Sequence, residues 1–377
     1  MSERTALEGG GGVEMSNRQR LNWLRLARCD GVGPATFRDL INHFGTAEQA
    51  LEALPDLGRR SGRRRPIRIP AAADIEREVA ALHKFGGQLV CSGEPDYPPA
   101  MLAYDAAPMV MSVYGDAGTL RRPMVGIVGS RDASLASTRL TQTFAEAIGA
   151  AGYVIASGLA KGIDAAAHAA SLRTGTLAAF AGGVNVAWPP QNEDLAKSII
   201  DTGGIVVSEM PFGWKPRAKD FPRRNRIIAG VSLGVLVVEA ALRSGSLITA
   251  RLANEMGRVV FAVPGSPIDP RSAGTNRLIK EGASFVTDPD DVLAELRPMH
   301  ERSAAPAVVR ESAPAPLSEP DMSERERIVS SLNDAPVPVD EVVRFTGLAP
   351  AVVQLVLLEL DLAGRIERHG GNRVSLA

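Results

Sequence analysis

The sequence is poor in the residues that form disulfides and metal sites. It contains 2 cysteines and 5 histidines, and neither type occurs in a CxxC, HExxH or similar metal-binding arrangement. Cys29 and Cys91 alone exclude a disulfide scaffold and are typical of a reducing compartment. We therefore predict a cytoplasmic protein with no metal and no other cofactor.

Long apolar stretches are also missing. The most apolar run, residues 231–242, is shorter than the roughly 18 residues that a membrane-spanning helix requires. Residues 1–16 are charged and glycine-rich and have no apolar core of a signal peptide, so we expect a flexible tail there. These patterns predict that the protein has no membrane partner.

An excess of charge of either sign is absent as well. The chain has 42 Lys and Arg residues against 43 Asp and Glu residues, which gives a formal net charge of -1. Any site for a polyanion must therefore come from local clustering of cations. The 377 residues are enough for two or three domains of roughly 100 to 200 residues each.

Changes in the hydrophobic pattern divide the chain into domains. Residues 17–82 have helical periodicity broken by the turn GVGP, which predicts a small helical domain. Residues 83–297 alternate short apolar runs with helical segments, a rhythm that predicts an α/β fold with a doubly wound, mostly parallel sheet. Residues 298–320 are rich in Pro, Ala and Ser and read as a linker. Residues 321–377 show three helices and a hairpin with a Gly-Gly turn, the pattern of a winged helix.

The first strong strand of the α/β region ends in an anion-binding type of loop. Open parallel sheets bind ligands beyond the carboxyl ends of their strands, and MVGIV is followed there by Gly129, Ser130 and Arg131. Small residues let backbone N–H groups approach an anion at the start of the next helix, expected near Ser134, and Arg131 adds a bidentate phosphate donor. The alternative is a tight turn with a solvated arginine.

The next strand ends in SGLAKGID, a second glycine-rich entry to a helix. Lys161 is a candidate phosphate ligand there, although a lysine at this position is equally consistent with a solvated side chain. Neither loop has the spacing of a dinucleotide fingerprint or of a P-loop.

The strongest basic cluster lies in WKPRAKDFPRRNRIIAG, residues 214–230, which carries six Lys or Arg residues and one Asp. Its predicted nucleic-acid contacts are Lys219, Phe221, Arg223, Arg224, Asn225 and Arg226. The three arginines cannot all point in one direction, so we expect at least one to pair internally. Cations beside aromatic rings suit a single strand, because phosphates pair with the cations and bases stack on the rings. If this cluster and the GSR segment meet at one sheet edge, the resulting trough fits a polymer better than a lone nucleotide.

Catalytic motifs are weak by comparison. Asp164 and His168 share a helix face, but no GxSxG nucleophile accompanies them, so a capped helix with a packed histidine is the preferred interpretation. Glu209 and Glu239 end strands at the same sheet edge and are either a carboxylate pair or ion partners of nearby arginines.

The flanking domains carry weaker signals of DNA binding. The GVGP turn resembles a helix-hairpin-helix loop, which alone is not specific. The third helix of the winged helix, residues 349–364, has no Lys or Arg and two acidic residues, so it is a poor reader of DNA. We expect this module to bind protein or simply to pack.

Motifs spread in order through the whole central domain resemble the DprA/Smf family of DNA-processing proteins. They are GSR at 129–131, SGLAKGIDAAAH at 157–168, SEMPFG at 208–213, FPRRNRIIAG at 221–230, EAALRSGSLITARLANEMGR at 239–258, FAVPG at 261–265 and GTNRLIKEGA at 274–283. The resemblance implies an extended Rossmann-like domain between a SAM-like or helix-hairpin-helix module and a winged helix.

The resemblance also implies a function. Family members are non-enzymatic homodimers that bind incoming single-stranded DNA in natural transformation, protect it and help load the RecA recombinase. Their DNA pocket surrounds the GSR loop and the FPxRN region, which corresponds here to Gly129, Ser130, Arg131 and residues 219–226. Lys161 rests on the residue pattern more than on the family.

A rival from another class is a Rossmann-like phosphoribohydrolase. The stretch RSGSLITARLANE loosely resembles the PGGxGTxxE signature of those enzymes, with Glu239 or Glu255 as the candidate catalytic carboxylate. It departs from that signature at Ser246 and Leu247, where the glycine-rich core would be.

Overall fold

The computed structural model describes residues 14–60, 65–301 and 320–377. The described residues form two compact units, one containing residues 14 and 78–301, the other containing residues 15–60, 65–77 and 320–377. Most of the predicted tail, 1–16, and of the predicted linker, 298–320, lies outside the described residues.

Four helices open the chain. They are α1 (Asn17–Ala27), α2 (Pro34–Phe44), α3 (Ala47–Arg60) and α4 (Ala72–Phe85). Ser16 begins α1 with a capping box to Gln19, and Pro34 fits the first turn of α2, where its missing N–H leaves no hydrogen bond unmade. The rings of Trp23 and Phe37 pack edge to face at 5.0 Å between centroids, which joins α1 to α2. The prediction of a small helical domain is confirmed.

A nine-stranded sheet forms the centre of the other unit. Its strands are β1 (Gln88–Cys91), β2 (Val110–Gly115), β3 (Met124–Val128), β4 (Val154–Ser157), β5 (Thr176–Ala179), β6 (Ile205–Ser208), β7 (Gly234–Val237), β8 (Val259–Ala262) and β9 (Ser284–Phe285). The spatial order is β1-β2-β6-β5-β4-β3-β7-β8-β9. Only the pairs β1–β2 and β2–β6 of this sheet are antiparallel, which confirms the predicted mostly parallel sheet.

Helices cover both faces of this sheet. They are α5 (Leu135–Ala150), α6 (Ile163–Ser171), α7 (Glu193–Asp201), α8 (Asp220–Val231), α9 (Ser246–Glu255), α10 (Ala273–Lys280) and α11 (Pro289–Glu301). Successive strand residues point to opposite faces, so Ile155 belongs to the apolar core under α5 and α6, whereas Val154 and Ala156 belong to the core under α8 and α9. Helix α11 continues four residues into the predicted linker, because Val292 and Leu296 anchor it in the core.

The order of the strands creates a crevice. From β3 the chain winds through β4, β5 and β6 in one direction, and then returns to place β7, β8 and β9 on the other side of β3. The loops that follow β3 and β7 therefore diverge at the carboxyl edge, where open α/β sheets bind their ligands.

The C-terminal segment is a winged helix, as predicted. Its elements are α12 (Met322–Ser330), β10 (Val337–Pro338), α13 (Val339–Thr346), α14 (Pro350–Leu362), β11 (Ile366–His369) and β12 (Arg373–Leu376). Strand β10 pairs with β12 and completes a three-stranded sheet with the hairpin. Within the same unit α14 packs against α2 and α3, where the Thr36 hydroxyl donates to Asp361 at 2.9 Å.

Across the described ranges, none of the helices is by itself long and apolar enough to cross a membrane. The pair α13 and α14 meets the length and composition together, but it is bent by 120°.

Candidate nucleic-acid interface

A cleft of about 640 Å³ opens where the loops after β3 and β7 diverge. Three segments line it: the GSR loop (residues 129–131), the first turns of α8, and the loop 243–246, here called the RSGS loop. The structure therefore brings the two segments singled out in the sequence to one site. Their meeting point is the Arg131 guanidinium, whose carbon lies 5.6 Å from the centroid of the Phe221 ring.

The GSR loop is supported from below by the loop 157–162, here called the SGLAKG loop. The N–H of Ile163 donates to the Ser130 carbonyl at 3.2 Å. Gly162 has φ of 73°, and a β-carbon there would collide with the carbonyl oxygens of Ser130 and Arg131. The close approach of the two loops therefore requires glycine at this position.

Arg131 itself projects outward. Its side chain is exposed, and within the described part of the chain it makes no salt bridge. An exposed guanidinium next to an aromatic ring can bind a phosphate while the ring receives a base.

The N-terminus of α5 is occupied by an internal carboxylate, a contact that the sequence interpretation did not include. The buried Glu239 carboxylate accepts hydrogen bonds from the Ser134 hydroxyl at 2.7 Å and from the Ser137 hydroxyl at 2.8 Å. An internal carboxylate thus already satisfies the positive helix end. Within the GSR loop, Arg131 is the exposed side chain that can pair with an anion.

The three arginines of α8 all bond to the protein. Arg223 pairs with Glu209 at 2.7 Å, and the buried Arg226 pairs with the same carboxylate. Arg224 is 6% exposed and donates to the Gly158 carbonyl at 2.6 Å and to the Ala179 carbonyl. The expected internal pairing thus extends to all three arginines, and Arg224 lines the cleft as a buried residue, whereas Arg226 is buried outside the cleft lining.

The other predicted contacts differ in exposure. Phe221 and Asn225 line the cleft, and the Asn225 amide donates to the Gly245 carbonyl at 3.2 Å, which ties α8 to the RSGS loop. Lys219 is exposed at the start of α8, and Lys161 is exposed on the SGLAKG loop outside the cleft lining.

The RSGS loop is the part of the site that the sequence interpretation missed. Arg243 is exposed and lines the same cleft as the GSR loop. The hydroxyls of Ser244 and Ser246 lie 2.7 Å apart at the start of α9, whose first turn has no acidic residue. The sequence feature that could have identified the RSGS loop is its position directly after β7, at the same sheet edge as the GSR loop.

Behind the cleft lies a buried polar network. Asp164 accepts from the N–H groups of Gly158 at 3.1 Å and Ala160 at 3.3 Å, and burial raises its pKa against the opposing charge of Arg224. His168 accepts from the Leu159 N–H at 3.3 Å, and burial together with the charge of Arg224 lowers its pKa to about 3. Burial lowers the pKa of Arg224 to about 10, opposed by Asp164. The network fixes the SGLAKG loop.

Comparison with protein families finds three matches along the chain. The DNA recombination-mediator protein A family matches residues 88–297, the DprA-like N-terminal HHH domain family matches residues 17–81, and the DprA winged helix domain family matches residues 311–372.

Individual relatives agree with these matches. Protein Smf of Escherichia coli is 40% identical over 305 residues, which covers 80% of this chain and 81% of that protein. The DNA processing protein DprA of Streptococcus pneumoniae is 45% identical over 194 residues, covering 51% of this chain and 68% of that protein.

Solved structures show the same likeness. The X-ray structure of DprA from Streptococcus pneumoniae has a TM-score of 0.61 at 34% identity and covers 75% of this chain and 99% of that one. A structure of DNA processing protein A from Helicobacter pylori, described for its single-stranded DNA binding mode, has a TM-score of 0.51 at 27% identity and covers 56% of this chain and 95% of that one. The chain belongs to the DprA/Smf family.

Proposed function

We propose that this protein binds single-stranded DNA in the cleft between the GSR and RSGS loops, without sequence preference and without catalysing a reaction. The observation that carries the proposal is Arg131, exposed and free of salt bridges within the described residues, beside the Phe221 ring. A guanidinium and a ring at this distance supply the phosphate contact and the stacking surface that an unpaired strand uses.

The charge around the cleft favours a polyanion. Arg131 and Arg243 both line it, and Lys219 is exposed at the start of α8. Of the two carboxylates that line the cleft, Asp164 is buried and hydrogen-bonded to backbone N–H groups, so only Asp132 faces the same solvent. Cations in a row match the repeating phosphates of a strand, whereas a lone nucleotide uses one or two of them.

The relatives support the same ligand. The solved structure of the Helicobacter pylori protein concerns single-stranded DNA, and its likeness to this chain spans about half of the chain. The segments that build the cleft lie within residues 88–297, the range matched by the recombination-mediator family.

The proposal extends to the wider role that the family resemblance implies. This protein protects incoming single strands in the cytoplasm during natural transformation, acts as a homodimer and helps load a RecA recombinase. Light scattering at several concentrations tests the homodimer. The rate at which RecA assembles on a strand already covered by this protein tests the loading, and an unchanged rate would contradict it.

Neither of the two carboxylates that the phosphoribohydrolase alternative names, Glu239 and Glu255, lines the cleft. Glu239 is 4% exposed and is held by the hydroxyls of Ser134 and Ser137. Glu255 ends α9, near Arg251, and does not line the cleft. Incubation with nucleoside monophosphates should therefore release no base, and release that is abolished by Glu239→Gln would establish the enzyme instead.

The binding proposal is tested by titrating labelled single-stranded and duplex oligonucleotides at several salt concentrations. About five phosphate contacts at roughly 0.7 each give a slope of log affinity against log salt near -3 to -4 for the single strand. Equal affinity for duplex and single strand would argue against the cleft as a single-strand site.

A further inference from the structure

We infer that the strand-binding surface continues beyond the cleft onto a second subsite, a platform of Trp188, Trp214 and Arg217 that takes unpaired bases. This inference rests on the proposed function, and it adds a place where the strand goes after it leaves Phe221. These three residues belong to the loops that follow β5 and β6.

The platform has a built core. The Arg217 guanidinium carbon lies 4.1 Å from the centroid of the Trp214 ring, so the cation is stacked on the indole. The indole N–H donates to the Asp220 carboxylate at 3.0 Å, and the Arg217 N–H donates to the same oxygen at 2.9 Å. Asp220 is 4% exposed, so a buried carboxylate holds both the ring and the backbone of the arginine.

The cations of the segment around Trp214 and Arg217 remain available to bind phosphate. Asp220 is the only acidic residue in the stretch PFGWKPRAKDFP, and its carboxylate is used by the Trp214 and Arg217 N–H groups. The side chains of Lys215, Arg217 and Lys219 are exposed and make no salt bridge among the described residues. The platform therefore presents positive charge next to aromatic surface, the combination that binds phosphates and bases together.

Trp188 lies on a loop that connects this core to the cleft side. The Gly183 N–H donates to the Trp214 carbonyl at 2.9 Å, which fixes one end of the loop against the platform core. At the other end the Asn192 amide donates to the carbonyls of Leu159 at 2.9 Å and Ala160 at 3.2 Å, next to Lys161. Between these anchors the Trp188 side chain is 49% exposed, a large exposure for an indole with no described partner.

The topology places the platform along one continuous edge. Strands β3, β4, β5 and β6 are neighbours in the sheet, so the loops that follow them stand side by side at the carboxyl edge. Three strand spacings of about 4.8 Å separate β3 from β6, a total of about 14 Å. A strand with stacked bases rises about 3.4 Å per nucleotide, so about four nucleotides span the separation between the ends of β3 and β6.

The test is the dependence of affinity on oligonucleotide length. An oligothymidylate of about 3 nucleotides is too short to span both sites and occupies the cleft alone, whereas one of about 20 nucleotides also reaches the platform. Wild type, Trp188→Ala, Arg217→Ala and Arg131→Ala are titrated with both oligonucleotides. Arg173→Ala is the matched control for charge, because Arg173 is exposed after the C-terminal end of α6, at the opposite edge of the sheet.

The expected result is a change in the affinity for the long oligonucleotide relative to the affinity for the short one. The long-to-short affinity ratio falls about tenfold in Trp188→Ala and in Arg217→Ala, within the range for losing a stacked base or a cation, and stays at the wild-type value in Arg173→Ala. Arg131→Ala weakens both lengths and leaves the ratio near that of wild type. Trp188→Phe retains most of the ratio because a ring remains.

Two outcomes distinguish a failure of the platform proposal from a failure of the proposed function. If wild type binds both oligonucleotides and the ratio is unchanged in Trp188→Ala and Arg217→Ala, the platform is wrong and the cleft proposal stands. If wild type binds neither oligonucleotide, the proposed function fails. Tryptophan fluorescence provides a second reading, since the long strand should quench Trp188 and Trp214, and the Trp188 part of this quenching should be lost in Trp188→Phe, while the buried Trp23 is unaffected.

Discussion

The cleft of the sheet unit and helix α14 of the winged helix are both segments that nucleic-acid-binding folds place against DNA, but they expose opposite chemistry. The cleft presents Arg131 and Arg243 to solvent. Helix α14 has no Lys or Arg. In a winged helix the third helix reads DNA only if its outer face is open and not acidic. The exposure of cations therefore distinguishes the DNA-binding potential of the two regions better than their fold types do.

The outer face of α14 is covered within its own unit. Leu355, Leu358 and Leu362 are at most 6% exposed, although the apolar core of the winged helix is made by other residues of this helix, such as Val353 and Leu357. Helices α2 and α3 pack on α14, which accounts for the second buried face. The expectation that this module packs therefore agrees with the structure.

Ion pairs stabilise the packing around α14. Arg368 lies 2.6 Å from the Asp39 carboxylate of α2 and 3.0 Å from the Asp361 carboxylate of α14. Glu359 is bound by both nitrogens of Arg325 at 3.0 Å. The acids of α14 thus hold the unit together.

The contrast between the cleft and α14 is tested most strongly by removing Arg131, an exposed cation of the cleft. Arg131→Ala should weaken single-strand binding by about 1 to 3 kcal/mol, because a charge-assisted phosphate contact is lost. The salt slope should become less steep by about 0.7. Fluorescence anisotropy at several salt concentrations measures both quantities, and unchanged affinity in a folded variant would reduce the GSR loop to a turn.

A second variant distinguishes two effects of Asp164 on DNA binding, the positioning of the SGLAKG loop and the negative charge beside the cleft. Asp164→Ala removes a negative charge beside the cleft, which by charge alone would strengthen DNA binding. We expect binding to weaken by about tenfold, or roughly 1.4 kcal/mol, because the SGLAKG loop loses its acceptor and no longer supports the GSR loop.

Asp164→Asn is the matched control, since an amide oxygen can still accept from Gly158 and Ala160. Its affinity should lie close to that of wild type. Tighter binding of Asp164→Ala would show that the carboxylate acts only through its charge.

The buried histidine predicts a pH dependence of stability. The pKa of His168 is about 3 in the folded protein, against the ordinary histidine value of 6.5 expected in the unfolded chain, so protonation favours unfolding. Stability is complete above pH 6.5 and is lost as the pH falls toward 3. Asp164 has the opposite sign, because burial raises its pKa and its protonation favours the folded state.

The two contributions are separated by urea unfolding of wild type and His168→Gln. Between about pH 7 and about pH 5.5, wild type should lose about 1 kcal/mol of unfolding free energy more than the variant. Parallel pH profiles of the two proteins would mean that His168 is protonated equally in both states.

The smallest effect on DNA binding is expected from the winged helix. Arg368→Ala should lower the stability of its unit by about 1 to 3 kcal/mol, since Asp39 and Asp361 lose their shared cation. Single-strand affinity should change by less than about 0.4 kcal/mol, or twofold. A tenfold loss of affinity with the sheet unit intact would assign α14 a direct part in strand binding.

The sequence predicted those parts of the fold that depend on local pattern. The strands β3 to β8 are buried on both faces and appear as short apolar runs. The strands β1, β2 and β9 were not predicted, and β9 is two residues long and partly exposed, so it has little pattern.

The start of α8 was not predicted. This helix begins at Asp220 and includes the three arginines. An acidic residue and a proline in the first turn, Asp220 and Pro222, are an ordinary helix start that the arginine cluster obscured.

The details of the site depended on distant partners. Arg224 bonds to a carbonyl 66 residues earlier, at Gly158, and Arg226 to Glu209, 17 residues earlier. No local pattern reveals such pairs, so the sequence located the basic cluster but could not tell free cations from buried ones.

The most direct test of the central claim compares wild type and Arg131→Ala in a salt series with single-stranded and duplex DNA. We predict that wild type prefers the single strand with a log-log slope near -3 to -4, and that Arg131→Ala loses about 1 to 3 kcal/mol and part of that slope. A flat salt response of wild type, or an Arg131→Ala variant that binds as well as wild type, would contradict a cationic cleft built around the GSR loop.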